Sequence, residues 1–201
     1  MRLRRRRADQ TEMKLILASL SPRRRELLSR LPYPFEVHSA PTKEFSDGEL
    51  PAEELPLRNA ENKARAVAER FPDAVVLGAD TVIVFDRRII GKPRDAEDAF
   101  RTLSLLSGRT HEVVTGIALL RRGDGLRRVW SEKSSVTFKT LDPDTIKEYM
   151  RCVNVLDKAG SYALQEHGDL IVSGVTGDPD NVVGLPLVRL AAELEKLSSG
   201  K

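Results

Sequence analysis

Arg23 and Arg24 stand side by side immediately after Ser19-Leu20-Ser21-Pro22. Serine is a favoured helix cap and proline is tolerated at the first helical position, so the pair falls in a helix's first turn. A helix start offers unpaired backbone N–H groups, and each guanidinium adds paired donors that match a phosphate. The alternative is a capped surface helix with solvated arginines. Asp80, in Gly78-Ala79-Asp80-Thr81, lies between two apolar runs. A carboxylate there is costly unless a cation or metal pairs with it, which makes Asp80 a candidate general base or metal ligand. The plainer reading is a turn aspartate that caps backbone N–H groups. Lys63 shares a helical face with Ala60 and Val67, so its ammonium either snorkels outward or enters a cleft. Lys92, in Gly91-Lys92-Pro93, is aimed by a rigid turn or is an ordinary loop lysine.

Other chemistries lack their signatures. His38, His111 and His167 are too scattered to suggest a triad, and no Gly-x-Ser-x-Gly elbow accompanies them. His111, at a strand start, reads as structural. Neither a Walker A loop nor Gly-x-Gly-x-x-Gly is present. The single cysteine, Cys152, excludes an internal disulfide and a Cys-based zinc cluster and fits a reducing compartment, so a cytoplasmic location is expected.

The elements that must position these residues alternate between strand and helix, as in one α/β unit. Lys14–Ser19 reads as a buried first strand leading into the Ser21-Pro22 helix with Leu27, Leu28 and Leu31 inward. Phe35–Val37 begins a strand, and residues 42–56 form a polar, acidic loop. A helix over 57–70 buries Leu57, Ala60, Ala64, Val67 and Ala68. Short strands are expected at 74–77 and 82–85, with Asp80 between them. Asp95 and Asp142-Pro143 each start a helix, and a last helix begins near Pro186. Segments 112–120 and 129–138 read as long neighbouring strands. Glycines at Gly108, Gly116, Gly177 and Gly184 read as turns or as points of close backbone approach.

The 201 residues suffice for one such domain, and 40% hydrophobic with 31% charged residues is an ordinary globular balance. The net charge of +3 resides in residues 1–12, where five arginines face Asp9 and Glu12; the remaining 28 basic and 28 acidic side chains cancel. A neutral body argues against nucleic-acid binding as the main task. The arginine tail, residues 1–12, is expected to be a disordered extension ahead of a domain over 13–201. No apolar run approaches the ~20 residues of a membrane span.

The order of the blocks is more specific than any one of them. Leu15–Ser19 running into Ser21–Leu28, then Gly78-Ala79-Asp80-Thr81, Gly91-Lys92-Pro93, Leu106–His111, Thr115-Gly116, Asp157–Gln165 and Asn181–Leu187, resembles the Maf family of nucleotide pyrophosphatases across residues 14–197. The resemblance implies a two-lobed α/β fold with a strongly twisted mixed β-sheet, flanking helices and a cleft between lobes. It implies that Ser19, Arg23, Arg24, Lys63 and Lys92 bind a nucleoside triphosphate. It makes Asp80 the catalytic carboxylate, activating water or holding a metal with Glu44. Magnesium or manganese suits oxygen ligands better than zinc. Arg23, Thr81 and Gln165 look like the branch that hydrolyses dTTP and UTP, and members are often homodimers. Two other functions compete: hydrolysis of modified nucleotides for pool cleaning, and nucleotide binding without turnover by a regulator of cell division or septum formation.

Overall fold

The computed structural model describes residues 13–46 and 48–199; the expected basic tail lies outside them. Among the described residues seven strands form one mixed sheet: β1 (Leu15–Leu17), β2 (Phe35–Val37), β3 (Val75–Phe85), β4 (Arg88–Ile90), β5 (Thr110–Arg121), β6 (Leu126–Phe138) and β7 (Val172–Thr176). Their order is β2-β1-β3-β5-β6-β7, with β4 also on β3. The β2-β1-β3 part is parallel and the rest antiparallel. Around the sheet lie α1 (Pro22–Leu28), α2 (Leu55–Ala68), α3 (Ala96–Leu106), α4 (Pro143–Cys152), α5 (Gly168–Ile171), α6 (Pro179–Val183) and α7 (Leu187–Ser198).

β1 is apolar at every position because a parallel strand is covered on both faces. Leu15, Leu17, Val75, Leu77 and Ala79 pack with Leu27 and Leu28 of α1 and Leu187, Leu190 and Leu194 of α7. Ile16 and Val76 point the other way, onto Ala60, Ala64 and Val67 of α2. Farther along β3, Ile83 and Phe85 join a second core with Ala99, Leu103 and Leu106 of α3 and Ile146 and Tyr149 of α4. One face of β3 therefore serves two cores in succession, and Thr81 falls in the interval between them.

The expected pair of short strands is a single strand of 11 residues. Asp80 is thus a mid-strand residue opposite Gly116, not a turn residue. Small side chains at Gly78, Ala79 and Thr81 hid the continuity by breaking the apolar run. Gly116 is likewise mid-strand. A Cβ on Gly78 would collide with the Ala60 carbonyl, and one on Gly116 with the Pro56 carbonyl. Both glycines let α2 press onto the sheet. Between Gly177 and Gly184 the Asp178-Pro179 pair starts α6: Asp178 accepts from the Asp180 N–H and Pro179 sits in the first turn.

A gap in the sheet positions the site. β1 ends at Leu17, opposite Leu77. β4 ends at Ile90, opposite Ile83. Among the described residues that edge of β3 has no strand partner between Leu77 and Ile83, and side chains from both faces of β3 reach the opening.

Candidate active site

A cleft of about 590 Å³ lies at this gap. Ser19, Arg23, Arg24, Glu44, Lys63, Asp80, Thr81, Lys92 and Gln165 all line it. β1 delivers Ser19, and α1 delivers the arginines one turn later. Ser21 caps α1 by accepting from the Arg24 N–H at 3.5 Å. With seven residues, α1 is about two turns long, so side-chain cations supply most of the charge on this wall.

Arg24 is the most firmly held of them. Its Nε donates to the Gly184 carbonyl at 3.0 Å, one terminal nitrogen to Ser19 Oγ at 3.4 Å, and the other to Thr81 Oγ1 at 3.0 Å. Burial lowers its pKa from the usual arginine value, and attraction to Asp80 opposes that shift. An arginine remains charged under such a shift.

Lys63 takes the inward course. Its Nζ lies 2.7 Å from Asp80 Oδ1 and 3.1 Å from Glu44 Oε2. Asp80 Oδ2 accepts from Asn59 Nδ2 at 3.1 Å. Asn59 and Lys63 are four residues apart on α2 and therefore share a face. Asn59 also exchanges bonds with the backbone of Phe45, at 2.7 and 3.1 Å, and so fixes the segment that carries Glu44. Asn59 is buried, and the sequence reading missed it; its spacing from Lys63 was the available signal.

Across the cleft stand Lys92 and Gln165, both exposed. Lys158 was not singled out by the sequence reading. It lines the cleft, yet it is 4% exposed and its Nζ is occupied by the Asn154 carbonyl at 2.8 Å, Asp157 at 2.9 Å and Glu166 at 3.2 Å. It fastens the segment that leads to Gln165. His111 lies outside this cleft. Its Nε2 meets Tyr162 Oη at 2.8 Å, and burial lowers its pKa to about 4. That places it as a neutral structural group, as expected.

Among the described residues no three or more His, Cys, Asp or Glu side chains form a cage. Asp80 and Glu44 nevertheless converge on one point, held by the Lys63 ammonium. Two carboxylates at one point fit a hard divalent ion that completes its shell with phosphate oxygens and water.

A broken sheet edge with cations gathered about one carboxylate defines an α/β protein built to handle a polyanion. A family model described as Maf-like protein matches residues 14–197, and the chain belongs to that family. It is 47% identical over 173 residues to the dTTP/UTP pyrophosphatase of Akkermansia muciniphila, covering 86% of this chain and 90% of the relative. It is 48% identical over 177 residues to that of Moorella thermoacetica, covering 88% and 91%. The Myxococcus xanthus protein of the same name is 46% identical over 189 residues, 94% of each. The Staphylococcus aureus Ham1 protein shares the fold, with a TM-score of 0.54 at 13% identity over 90% of this chain and 98% of that one.

Proposed function

We propose that this chain hydrolyses dTTP and UTP to the monophosphate and pyrophosphate, using magnesium or manganese. Membership of the family makes it a nucleoside triphosphate pyrophosphatase, a hydrolase acting on acid anhydrides. The observation that carries the reading is the meeting of Arg24, Lys63 and Asp80 at the gap in β3, with Ser19, Arg23 and Lys92 on the same cleft. A triphosphate is a polyanion, and catalysis of its hydrolysis is mostly positioning and charge stabilisation. Arg24 and Arg23 bind phosphate oxygens on one side and Lys92 on the other. A carboxylate has about four lone-pair sites, and Asp80 uses two of them on Lys63 and Asn59. Its remaining capacity orients the attacking water and accepts its proton. Attack at the α-phosphorus breaks the bond to the bridging oxygen, which leaves with pyrophosphate.

Asp80 and Glu44 are the residues that would hold the divalent ion. Bound there, it would neutralise phosphate charge as a Lewis acid. Gln165 and Thr81, together with Arg23, carry the preference for dTTP and UTP in this proposal. The chain is proposed to act as a homodimer in the cytoplasm. Among the described residues no helix is long and apolar enough to cross a membrane.

The test is pyrophosphate release from a panel of ordinary and modified triphosphates, with magnesium and with manganese. Turnover of dTTP and UTP above the rest is expected. Preference for modified bases favours pool cleaning. Tight dTTP binding without pyrophosphate favours the regulatory alternative and ends the hydrolytic one.

A further inference from the structure

The Arg24 guanidinium has five N–H donors. Three are engaged inside the protein, on Gly184, Ser19 and Thr81. Two remain for a ligand, one on each terminal nitrogen. How the engaged side is itself held follows from hydroxyl bookkeeping. Thr115 Oγ1 lies 3.0 Å from the Asn181 carbonyl, which only accepts, so the single Thr115 proton goes there. Thr115 must then accept from Thr81, 3.0 Å away and directly opposite it in the β3–β5 register. Thr81, having donated to Thr115, can only accept from Arg24. The direction is fixed at every link: Arg24 to Thr81 to Thr115 to the backbone of α6.

The end of this chain is itself pinned. Ser134 Oγ, 2.8 Å from the Asp178 carbonyl, donates to it and so accepts from Asn181 Nδ2 at 3.0 Å. The same amide donates to the Val113 carbonyl at 3.0 Å. Thr115 and Asn181 are fully buried, and neither lines the cleft. Gly184, just past α6, accepts from Arg24 Nε and lies so close that a Cβ there would touch both Thr81 Oγ1 and Arg24. α6 thus grips Arg24 twice, once directly and once through the two threonines.

We infer that Thr81, Thr115 and Asn181 form a one-way hydrogen-bond relay that fixes the plane of the Arg24 guanidinium, with Thr115 and Asn181 acting as positioning residues for the phosphate arginine. The inference deepens the pyrophosphatase reading and rests on it. It also changes the role of Thr81: a hydroxyl whose proton is committed to Thr115 serves Arg24 first and the base second.

The experiment is a double-mutant cycle on the full chain. Wild type, Thr115→Val, Thr115→Ser, Arg24→Ala and the Arg24→Ala/Thr115→Val double variant are compared for dTTP affinity and for pyrophosphate release. Valine keeps the shape and removes the relay. About a tenfold loss in dTTP affinity is expected, the order of one buried hydrogen bond with its orphaned partners. Serine keeps the hydroxyl and should return affinity to within about threefold of wild type. In the Arg24→Ala background the valine substitution should cost nothing further, because the group being positioned is gone. An equal cost in both backgrounds shows a general packing defect and overturns the relay. So does a Thr115→Val protein with wild-type affinity and turnover. If the affinities follow the cycle while no variant, wild type included, releases pyrophosphate, the relay stands and hydrolysis fails. A wild type that binds no dTTP removes both.

Discussion

The two walls of the cleft are fastened in opposite ways. On the wall made by β1, α1, α2 and the middle of β3, the groups around the gap are tied, Arg24 by three bonds, Asp80 by two and Lys63 by two, while Arg23 beside them makes no side-chain hydrogen bond or ion pair among the described residues. On the wall made by residues 91–94 and 157–165, Lys92 and Gln165 make no side-chain hydrogen bond or ion pair among the described residues, while their supporting backbone is held from behind. Tyr149 Oη accepts from the Ala163 N–H at 3.0 Å and donates to its carbonyl at 3.3 Å. Tyr162 is bonded to His111, and Lys158 closes the bend around three oxygens. The difference teaches where each kind of precision is needed. Charge that must meet a reacting phosphorus is preorganised, because a displacement of a fraction of an ångström there costs rate. Gln165, set by the proposed function at the variable base, and Lys92, an outlying phosphate cation, keep their rotamers free.

Asp80→Asn strikes the tied wall hardest. It preserves shape and the Asn59 side of the network but removes the charge facing Lys63. A loss of at least ~100-fold in kcat is expected, as for other positioned bases. Steady-state pyrophosphate release measures it, and a fully active variant breaks the role assigned to the carboxylate. Arg24→Ala comes next, with a fall of about 30-fold in kcat/KM, the order of one lost charge-assisted contact. Arg24→Lys should recover little of it, because a single ammonium cannot reproduce the fork shared by Gly184, Ser19 and Thr81. Full recovery by lysine would mean that charge alone matters on this wall and that the contrast with Lys92 is empty.

The backing of the other wall carries a pH dependence. His111 has a folded pKa of about 4 against an ordinary 6.5, because burial disfavours the imidazolium. Below pH 6.5 the unfolded chain binds a proton that the folded chain refuses until about pH 4. Stability is therefore flat in this group above 6.5 and falls as pH drops through that window. About 1.4 kcal/mol is lost from this histidine by pH 5.5. Melting temperatures of wild type and His111→Phe between pH 8 and 5 check it. Phenylalanine leaves Tyr162 without a partner and lowers the whole curve, but should flatten it over this interval. Parallel curves would remove His111 as the titrating group.

Much of this architecture was legible because local signals agreed with tertiary ones. Asp95 and Asp142-Pro143 cap α3 and α4, and the segments 112–120 and 129–138, read as long neighbouring strands, lie within β5 and β6. Where the reading failed, the cause is specific. β4 follows a two-residue turn at Asp86-Arg87, both with positive φ (49° and 65°), where asparagine and glycine are the usual residues, so the hairpin gave no sign. α6 begins with the same Asp-Pro signal as α4 but runs only five residues, too few to show an apolar stripe. In the site, the charged members were visible one at a time. Ser19, Thr81 and Gln165 stand out only through the family resemblance, and the neutral supports Asn59, Thr115 and Asn181 carry no mark of their role, because an amide or hydroxyl acquires meaning only from the fold that brings it opposite its partner.

Lys92→Ala should have the smallest effect, and its character matters more than its size. The ammonium is exposed at the cleft rim and makes no hydrogen bond or ion pair among the described residues. Its removal should raise KM for dTTP by roughly three- to fivefold and leave kcat nearly unchanged, as expected for a weakly held charge in high dielectric. An exposed charge is also screened by salt over about 10 Å at 0.1 M ionic strength. The rise of KM with added sodium chloride should therefore be shallower in Lys92→Ala than in wild type, while Arg24→Ala keeps more of the wild-type slope. Steady-state kinetics at 20 and 300 mM salt distinguish the two walls on that ground. If Lys92→Ala instead loses kcat and leaves the salt slope intact, the free lysine acts on the reacting phosphate, and the second wall is as preorganised in the bound state as the first.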